Sequence, residues 1–216
     1  MSYFNLSVFD LDHTLITKNS SFLFCRNLVK KGIFPSSYLY TSIYYYLRHR
    51  FFHLSLTDLH YAIFERLLKG NPIELLQDHV DAFIQEYLAE EYYFPALSRL
   101  RLAQHLGHYT AILSNSPSFL VEKVAKVLQV DAWKATEYSV DKDRKLCHIS
   151  ALMRGEEKAR SALEIAEKLR IPKEAMTAYS DSSSDVPFLT AAGKAVAVNP
   201  DRQLLKLAKQ SGWEVI

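Results

Sequence analysis

Residues 8–17 read VFDLDHTLIT: an apolar run that ends on two carboxylates one residue apart, Asp10 and Asp12, followed at once by a histidine and a threonine. With the preceding FNLS, the run has the short, β-branched and aromatic character of a strand buried on both faces. In an open α/β sheet the carboxyl ends of the strands face the functional crevice. Acids at this strand end would therefore place charge in that crevice, and the fold turns on whether other strands finish in the same way.

They do. YTAILS (109–114) reads as a second buried strand that runs out at Ser114 and Asn115, and AMTAYSD (175–181) as another that reaches Asp181, with Asp185 four residues on. Helical patterns separate them. Pro95 opens a helix through ALSRLRLAQHL (96–106) that Gly107 closes, PSFLVEKVAKVLQ (117–129) makes the next, and EEKARSALEIAEKL (156–169) a third that Pro172 stops. WKATEYSV (133–140) and KLCHIS (145–150) predict a hairpin across the polar DKDR, and KAVAVNP (194–200) a further strand before the last helix, RQLLKLAKQ (202–210). Strands alternating with helices of this length imply right-handed crossovers and a Rossmann-like, mainly parallel α/β sheet. Residues 19–91 break the alternation. Their apolar residues recur at three- and four-residue spacing, punctuated at GIFPSS, LSLTD and KGNPIE, which predicts three or four packed helices and no strand. The organisation expected is thus an α/β core of residues 1–18 and 92–216 with residues 19–91 inserted as a helical domain.

Composition narrows the partners. Of 216 residues, 49% are hydrophobic and 23% charged, with a net charge of +2, so the chain reads as globular and offers no basic stripe for nucleic acid. Two cysteines far apart, Cys25 and Cys147, exclude a disulfide framework and a cysteine zinc site. With no leader pattern at the start, the expected compartment is the reducing cytoplasm. The Tyr- and Phe-rich stretch FPSSYLYTSIYYYL (34–47) falls short of the roughly 20 apolar residues of a membrane span.

Gathered at one sheet edge, Asp10, Asp12, Ser114, Asp181 and Asp185 would be joined by Lys158, in the first turn of the helix after Gly155. So many carboxylates repel one another unless a cation sits among them, and a hard, oxygen-liganded divalent ion such as Mg²⁺ would resolve the conflict. A carboxylate beside such an ion and a lysine is suited to attack phosphorus, and a second one two residues on to exchange a proton with the leaving alcohol and then with water.

This constellation resembles the haloacid dehalogenase-like phosphatases, and within them the phosphoserine-phosphatase-like branch. DLDHT is similar to the first motif of that family, Ser114 in ILSNS to the second, Lys158 to the third and YSDSSSDVPFL to the fourth. The resemblance implies Asp10 as nucleophile, Asp12 as acid and base, and Ser114, Asn115 and Lys158 as phosphate-binding groups. It implies Mg²⁺ on the Asp10 side chain, the Asp12 carbonyl and the Asp181 side chain, with Asp185 behind them near Lys158. It also makes the insertion a cap that closes over a small phosphomonoester. Three positions depart from the phosphoserine phosphatases: Asn19 stands nine residues after Asp10 where glutamate is usual, Ser180 where glycine is common, and Ser184 where asparagine is common. An aspartate-phosphorylated signalling domain shares much of this chemistry but has no need of an acid at position 12.

Two further features stay outside the motifs. His49 and His53, four apart on an expected helix, read as ordinary histidines for want of a third ligand. The block YLYTSIYYYLRHRFF (38–52) reads as a helix-packing surface. Beside Lys30, Lys31, Arg48 and Arg50 it also allows a lipid-like phosphate ester, a membrane surface or a partner chain as its ligand.

Overall fold

The computed structural model describes residues 3–216, the Ala89 side chain aside, so the first two residues assigned to the core lie outside the described residues. The first strand, β1 (Leu6–Phe9), is buried throughout: Leu6 and Val8 enter the core on one face of the sheet and Phe9 the core on the other. It is shorter than the FNLSVFD run because the backbone turns at Leu11, whose carbonyl accepts from Thr14, Leu15 and Ile16.

Next to β1 lie β2 (Tyr109–Pro117), which pairs Phe9 with Ile112, and β5 (Met176–Ser180), which pairs Phe9 with Tyr179. With β3 (Ala132–Val140), β4 (Leu146–Ala151), β6 (Lys194–Ala197) and β7 (Glu214–Val215), they form one seven-stranded sheet in the order β4-β3-β2-β1-β5-β6-β7. Every pairing is parallel except the expected β3–β4 hairpin. Strand β2 runs three residues beyond the YTAILS run, and its pairing with β3 shifts register between Ser114 and Pro117. This irregularity lifts the end of the strand out of the plain ladder at the residues expected to bind phosphate.

Four helices fill the insertion: α1 (Ser20–Lys30), α2 (Ser37–Phe51), α3 (Leu56–Ile63) and α4 (Ile73–Phe83), the last two continuing as π-helical turns, Phe64–Leu68 and Ile84–Leu88. They make a helical cap whose apolar residues Leu23, Phe24, Phe64, Leu76, Val80 and Phe83 share one core with Phe119, Leu120 and Val124. In the core domain follow α5 (Phe94–His105), α6 (Ser118–Leu128), α7 (Gly155–Leu169), α8 (Val186–Ala191) and α9 (Arg202–Ser211). The architecture is therefore the expected α/β sheet with a cap inserted after the first strand.

The cap is tied to the sheet along two lines. At the chain crossings, Thr17 N donates to Glu91 O, Tyr93 N donates to Leu15 O, and the Glu91 carboxylate accepts from Thr17 Oγ1 and Lys18 Nζ, both at 2.6 Å. At the other side, the α3–α4 connection runs along the hairpin: Gly70 N donates to Leu146 O, Leu146 N to Asn71 O and Ile73 N to Arg144 O. Arg144 also pairs with Glu74, and Lys123 with Asp81.

The helix-packing expectation for residues 38–52 holds for one side of α2 only, and no residue of the helix is fully buried. Its half-buried side, with Tyr38, Leu39, Tyr45 and His49, packs on α1 and α3, while Tyr40, Ile43, Tyr44, Leu47 and Phe51 face solvent. Periodicity marks an apolar stripe but not what covers it. The two histidines separate as well: His49 Nδ1 lies 2.6 Å from the Leu54 carbonyl, and His53 falls past the helix end with a left-handed φ of 56°.

Candidate active site

The parallel register carries the three motif strands to one edge. Asp10 N donates to Tyr179 O and prolongs the β1–β5 ladder by one rung, so Asp10 leaves the sheet beside Ser180 and Asp181. On the other side β2 delivers Ser114, 1% exposed, with its Oγ accepting from Ser116 N.

Lys158 enters from beneath. It sits one turn into α7, and that helix approaches the 183–185 turn so closely that a Cβ on Gly155 would lie 2.3 Å from the Ser184 carbonyl oxygen. Only a glycine allows this contact, and the contact sets the lysine. Its Nζ donates to Asp10 Oδ1 at 2.8 Å and to Asp185 Oδ2 at 2.6 Å, all three side chains being almost wholly buried. Ser180 Oγ donates to the same Asp185 oxygen at 2.7 Å, so the serine found in place of glycine has a definite task. Asp181 Oδ1 accepts from Thr14 Oγ1, and Asp201 pins the turn by accepting from Ser183 N while its own N–H donates to Asp181 O.

One lysine does not neutralise three acids. Burial pushes the Asp10 carboxyl well above the usual carboxylate range, with Asp185 and Asp181 adding repulsion and Lys158 opposing it. Burial likewise pushes Asp181 up to about 6, eased by His13 and Lys158. The Lys158 ammonium is held on the charged side against its own burial by Asp10 and Asp185. Asp185 Oδ1 is buried with no hydrogen-bond partner among the described residues.

Asp12 is held apart from this cluster and differently. Its Oδ1 accepts from Ser20 N at 2.9 Å, and its Oδ2 from Ser116 Oγ at 2.7 Å and Asn19 Nδ2 at 3.1 Å. Asn19 serves twice, because its Oδ1 also caps α1 by accepting from Phe22 N. The Ser116 hydroxyl in turn meets Ser20 and Ser21 at 3.0 and 2.8 Å. Asn115 is fixed through its backbone, whose carbonyl accepts from Thr136 Oγ1.

Sequence reasoning brought Asp10, Asp12, Ser114, Asn115, Lys158, Asp181 and Asp185 to one edge, and the structure does the same. It missed Thr14, Ser20 and Ser116 and named Ser180 only as a departure from glycine; all four are buried hydroxyls or backbone donors on the acids. It also missed the cap side of the site. There Thr57 on α3 lies 3.4 Å from Arg154, which forks onto Glu157, and His60 sits near enough to Lys158 to feel its charge. Burial, helped by His49 and Lys158, lowers the His60 imidazole to about 4. Only the run of polar residues that follows each strand hinted at the hydroxyl donors.

The sequence profile of the haloacid dehalogenase-like hydrolases matches residues 7–190, from β1 to α8. The chain belongs to that family. Among relatives of this haloacid dehalogenase-like hydrolase, a histidinol-phosphatase of Neisseria meningitidis is 28% identical over 225 aligned positions, covering 98% of each chain. A phosphoserine phosphatase of Mycobacterium tuberculosis is 26% identical over 213, covering 96% of this chain and 68% of that one. The fold recurs in a Bordetella pertussis protein of unknown function (TM-score 0.85, 22% identity, 100% and 99% coverage) and in a substrate-bound phosphoserine phosphatase (TM-score 0.73, 20% identity, 100% and 94% coverage). Both of these named relatives are phosphatases.

Proposed function

We propose that this hydrolase is a Mg²⁺-dependent phosphatase of small phosphomonoesters that works through a phosphorylated Asp10, with residues 1–18 and 92–216 as catalytic core and 19–91 as cap. The observation that carries the reading is the division of the acids: Asp10 and Asp185 both bond Lys158 and Asp181 stands within reach of their charge, while Asp12 is held separately by three donors.

The donor set fits a hard divalent ion. Asp10, Asp181 and Asp185 carry two negative charges more than Lys158 offsets, their donors are all oxygen, and one buried oxygen of Asp185 has no partner. Among the described residues no three acidic, histidine or cysteine side chains converge into a complete cage. A Mg²⁺ here would take few side chains and complete its shell with a main-chain carbonyl and waters. Asp10 and Asp181 with the Asp12 carbonyl would hold it, and Asp185 would stand behind them. Bound there, the ion would neutralise charge on the phosphoryl oxygens.

The chain's own groups supply the rest. An Asp10 carboxylate oxygen forms the bond to phosphorus as the ester P–O bond breaks, and the alcohol departs with a proton from Asp12. Asp12, now a carboxylate, takes a proton from the water that attacks the phosphorus, and the Asp10–phosphorus bond breaks to return free carboxylate and inorganic phosphate. Lys158 opposes the burial that favours a protonated Asp10 and balances the transferring charge. Ser114 and Asn115 stand at the end of β2, where the phosphoryl oxygens would lie. The Asp12 carboxylate is in place for turnover, which disfavours a domain that merely stores phosphate.

The cap would select the leaving group through α3, where a neutral His60 faces the cluster. Asn19 is occupied by Asp12 and the α1 cap and offers no counter-charge to an ammonium, so phosphoserine itself is the weaker choice among small substrates. Free Cys25 and Cys147 support a cytoplasmic setting.

The test is phosphate release from amino-acid, amino-alcohol, sugar, nucleotide and lysolipid phosphates, with Mg²⁺ and with EDTA. A Mg²⁺-dependent activity that Asp10→Asn abolishes with the fold intact is the expected result. Turnover by Asp10→Asn near the wild-type rate would remove the nucleophile. Silence on every ester alongside a stable beryllofluoride adduct would return the chain to the signalling reading.

A further inference from the structure

The outward face of α2 carries its apolar residues where a helix facing water normally carries charge. Tyr40, Ile43, Tyr44, Leu47 and Phe51 follow the i, i+3, i+4, i+7, i+11 spacing of a single stripe, from 43% to 73% exposed, and Phe52 extends it. Scattered exposed aromatics need no explanation, but a continuous stripe along a helix about 22 Å long does. Charge narrows what covers it. From residue 13 to residue 57 the sequence contains no aspartate or glutamate, while Lys18, Arg26, Lys30, Lys31, Arg48 and Arg50 lie in that span. Glu91 answers Lys18 and Glu86 answers Lys31, but among the described residues Arg48 and Arg50 pair with no carboxylate, and Arg48 rests over the Tyr44 ring.

We infer that the cap docks through α2 on the surface of an anionic lipid bilayer, the helix lying flat with its stripe at the acyl boundary and its arginines among the headgroups. Tyrosine side chains, with an apolar body and a polar tip, suit that depth, and unpaired arginines flanking an apolar face are what anionic lipid attracts. The helix is too short and too polar to cross the membrane, so the contact is one of surface. A second copy of the chain fits less well. A two-fold contact through this stripe would offer Arg48 and Arg50 no acid from the same stretch of the other copy.

The test is co-sedimentation of the full chain with vesicles of phosphatidylcholine alone and of phosphatidylcholine with phosphatidylglycerol, at low and high salt. Binding should appear with the anionic vesicles only and weaken with salt. It should fall on the order of 10- to 30-fold in Arg48→Gln/Arg50→Gln, and at least as far in Tyr44→Ser/Leu47→Ser/Phe51→Ser. Both variants should keep the phosphatase rate on a water-soluble ester. Should the triple variant misfold, the arginine variant and the salt series decide alone. Absence of wild-type sedimentation with anionic vesicles at low salt would overturn the inference. So would a dimer in light scattering that the triple variant splits, since the stripe would then belong to a second copy.

Discussion

Gly155→Ala is the sharpest probe of how the site is held. In most helices this change stabilises, by about 0.5–1 kcal/mol, because alanine restricts the unfolded chain and favours the helix. Here sterics oppose propensity. The new Cβ would meet the Ser184 carbonyl oxygen at 2.3 Å, about 1.1 Å short of ordinary contact at 3.4 Å, and the obstacle is backbone rather than a yielding side chain. Either α7 or the 183–185 turn must withdraw by about that much. Lys158 bonds Asp10 and Asp185 at 2.8 and 2.6 Å, and a shift of this size stretches one or both beyond hydrogen-bond length. Overpacking of this kind costs about 1–3 kcal/mol, more than the helix gains. A misplacement of about 1 Å in a catalytic group costs on the order of 100-fold in rate. The assay is initial-rate phosphate release from p-nitrophenyl phosphate with Mg²⁺, beside a thermal melt and with exposed Glu156→Ala as control. A Gly155→Ala protein within threefold of the wild-type rate and no less stable would refute the idea that this contact positions Lys158.

Asp12→Asn should slow an alkyl phosphate far more than p-nitrophenyl phosphate, whose leaving group needs no proton; equal losses would count against Asp12 as the acid. The raised Asp10 and Asp181 carboxyls mean that the folded, metal-free chain holds extra protons. The stability they confer is complete below about pH 4, and for Asp181 it is lost as pH rises through about 6. Above that, Mg²⁺ should take the place of the protons, so the rise in melting temperature on adding Mg²⁺ should be large at pH 8 and nearly vanish by pH 5. An equal shift at both would contradict the site's charge balance. Asn27 on α1 is 3% exposed with both amide atoms unpaired among the described residues, beside a cavity of about 410 Å³ lined by Leu23, Leu39 and Phe83. Asn27→Leu should stabilise by about 1–3 kcal/mol, read as a rise of several degrees in the melt; a fall would show that the amide has a partner.

The core and its acids were legible because each signal is local. Apolar runs that stop at Asp10, Ser114 and Asp181 set both the strand and its end, and parallel pairing forces those ends to one edge. The donors that orient the acids were not, because a serine at position 20, 116 or 180 looks the same in sequence whether it meets water or a buried carboxylate. Which side of α2 is covered was not legible for a related reason. The spacing of its outward stripe is that of a buried face, and only the positions of α1 and α3 reveal that the other side of the helix is the one covered. The π-helical turns after α3 and α4 leave no mark in composition.

The strand-like contact between residues 70–73 and the β3–β4 hairpin bears on how anything enters this molecule. A lid fastened only at Thr17 and Glu91 would swing like a door. This one is also buttoned along its far rim by three main-chain bonds and the Arg144–Glu74 pair. Any swing of the whole cap away from the sheet would have to break these bonds first, which would make the hairpin the latch on the chamber. The amide protons of Gly70, Ile73 and Leu146 are the ones whose exchange with solvent would keep time with it.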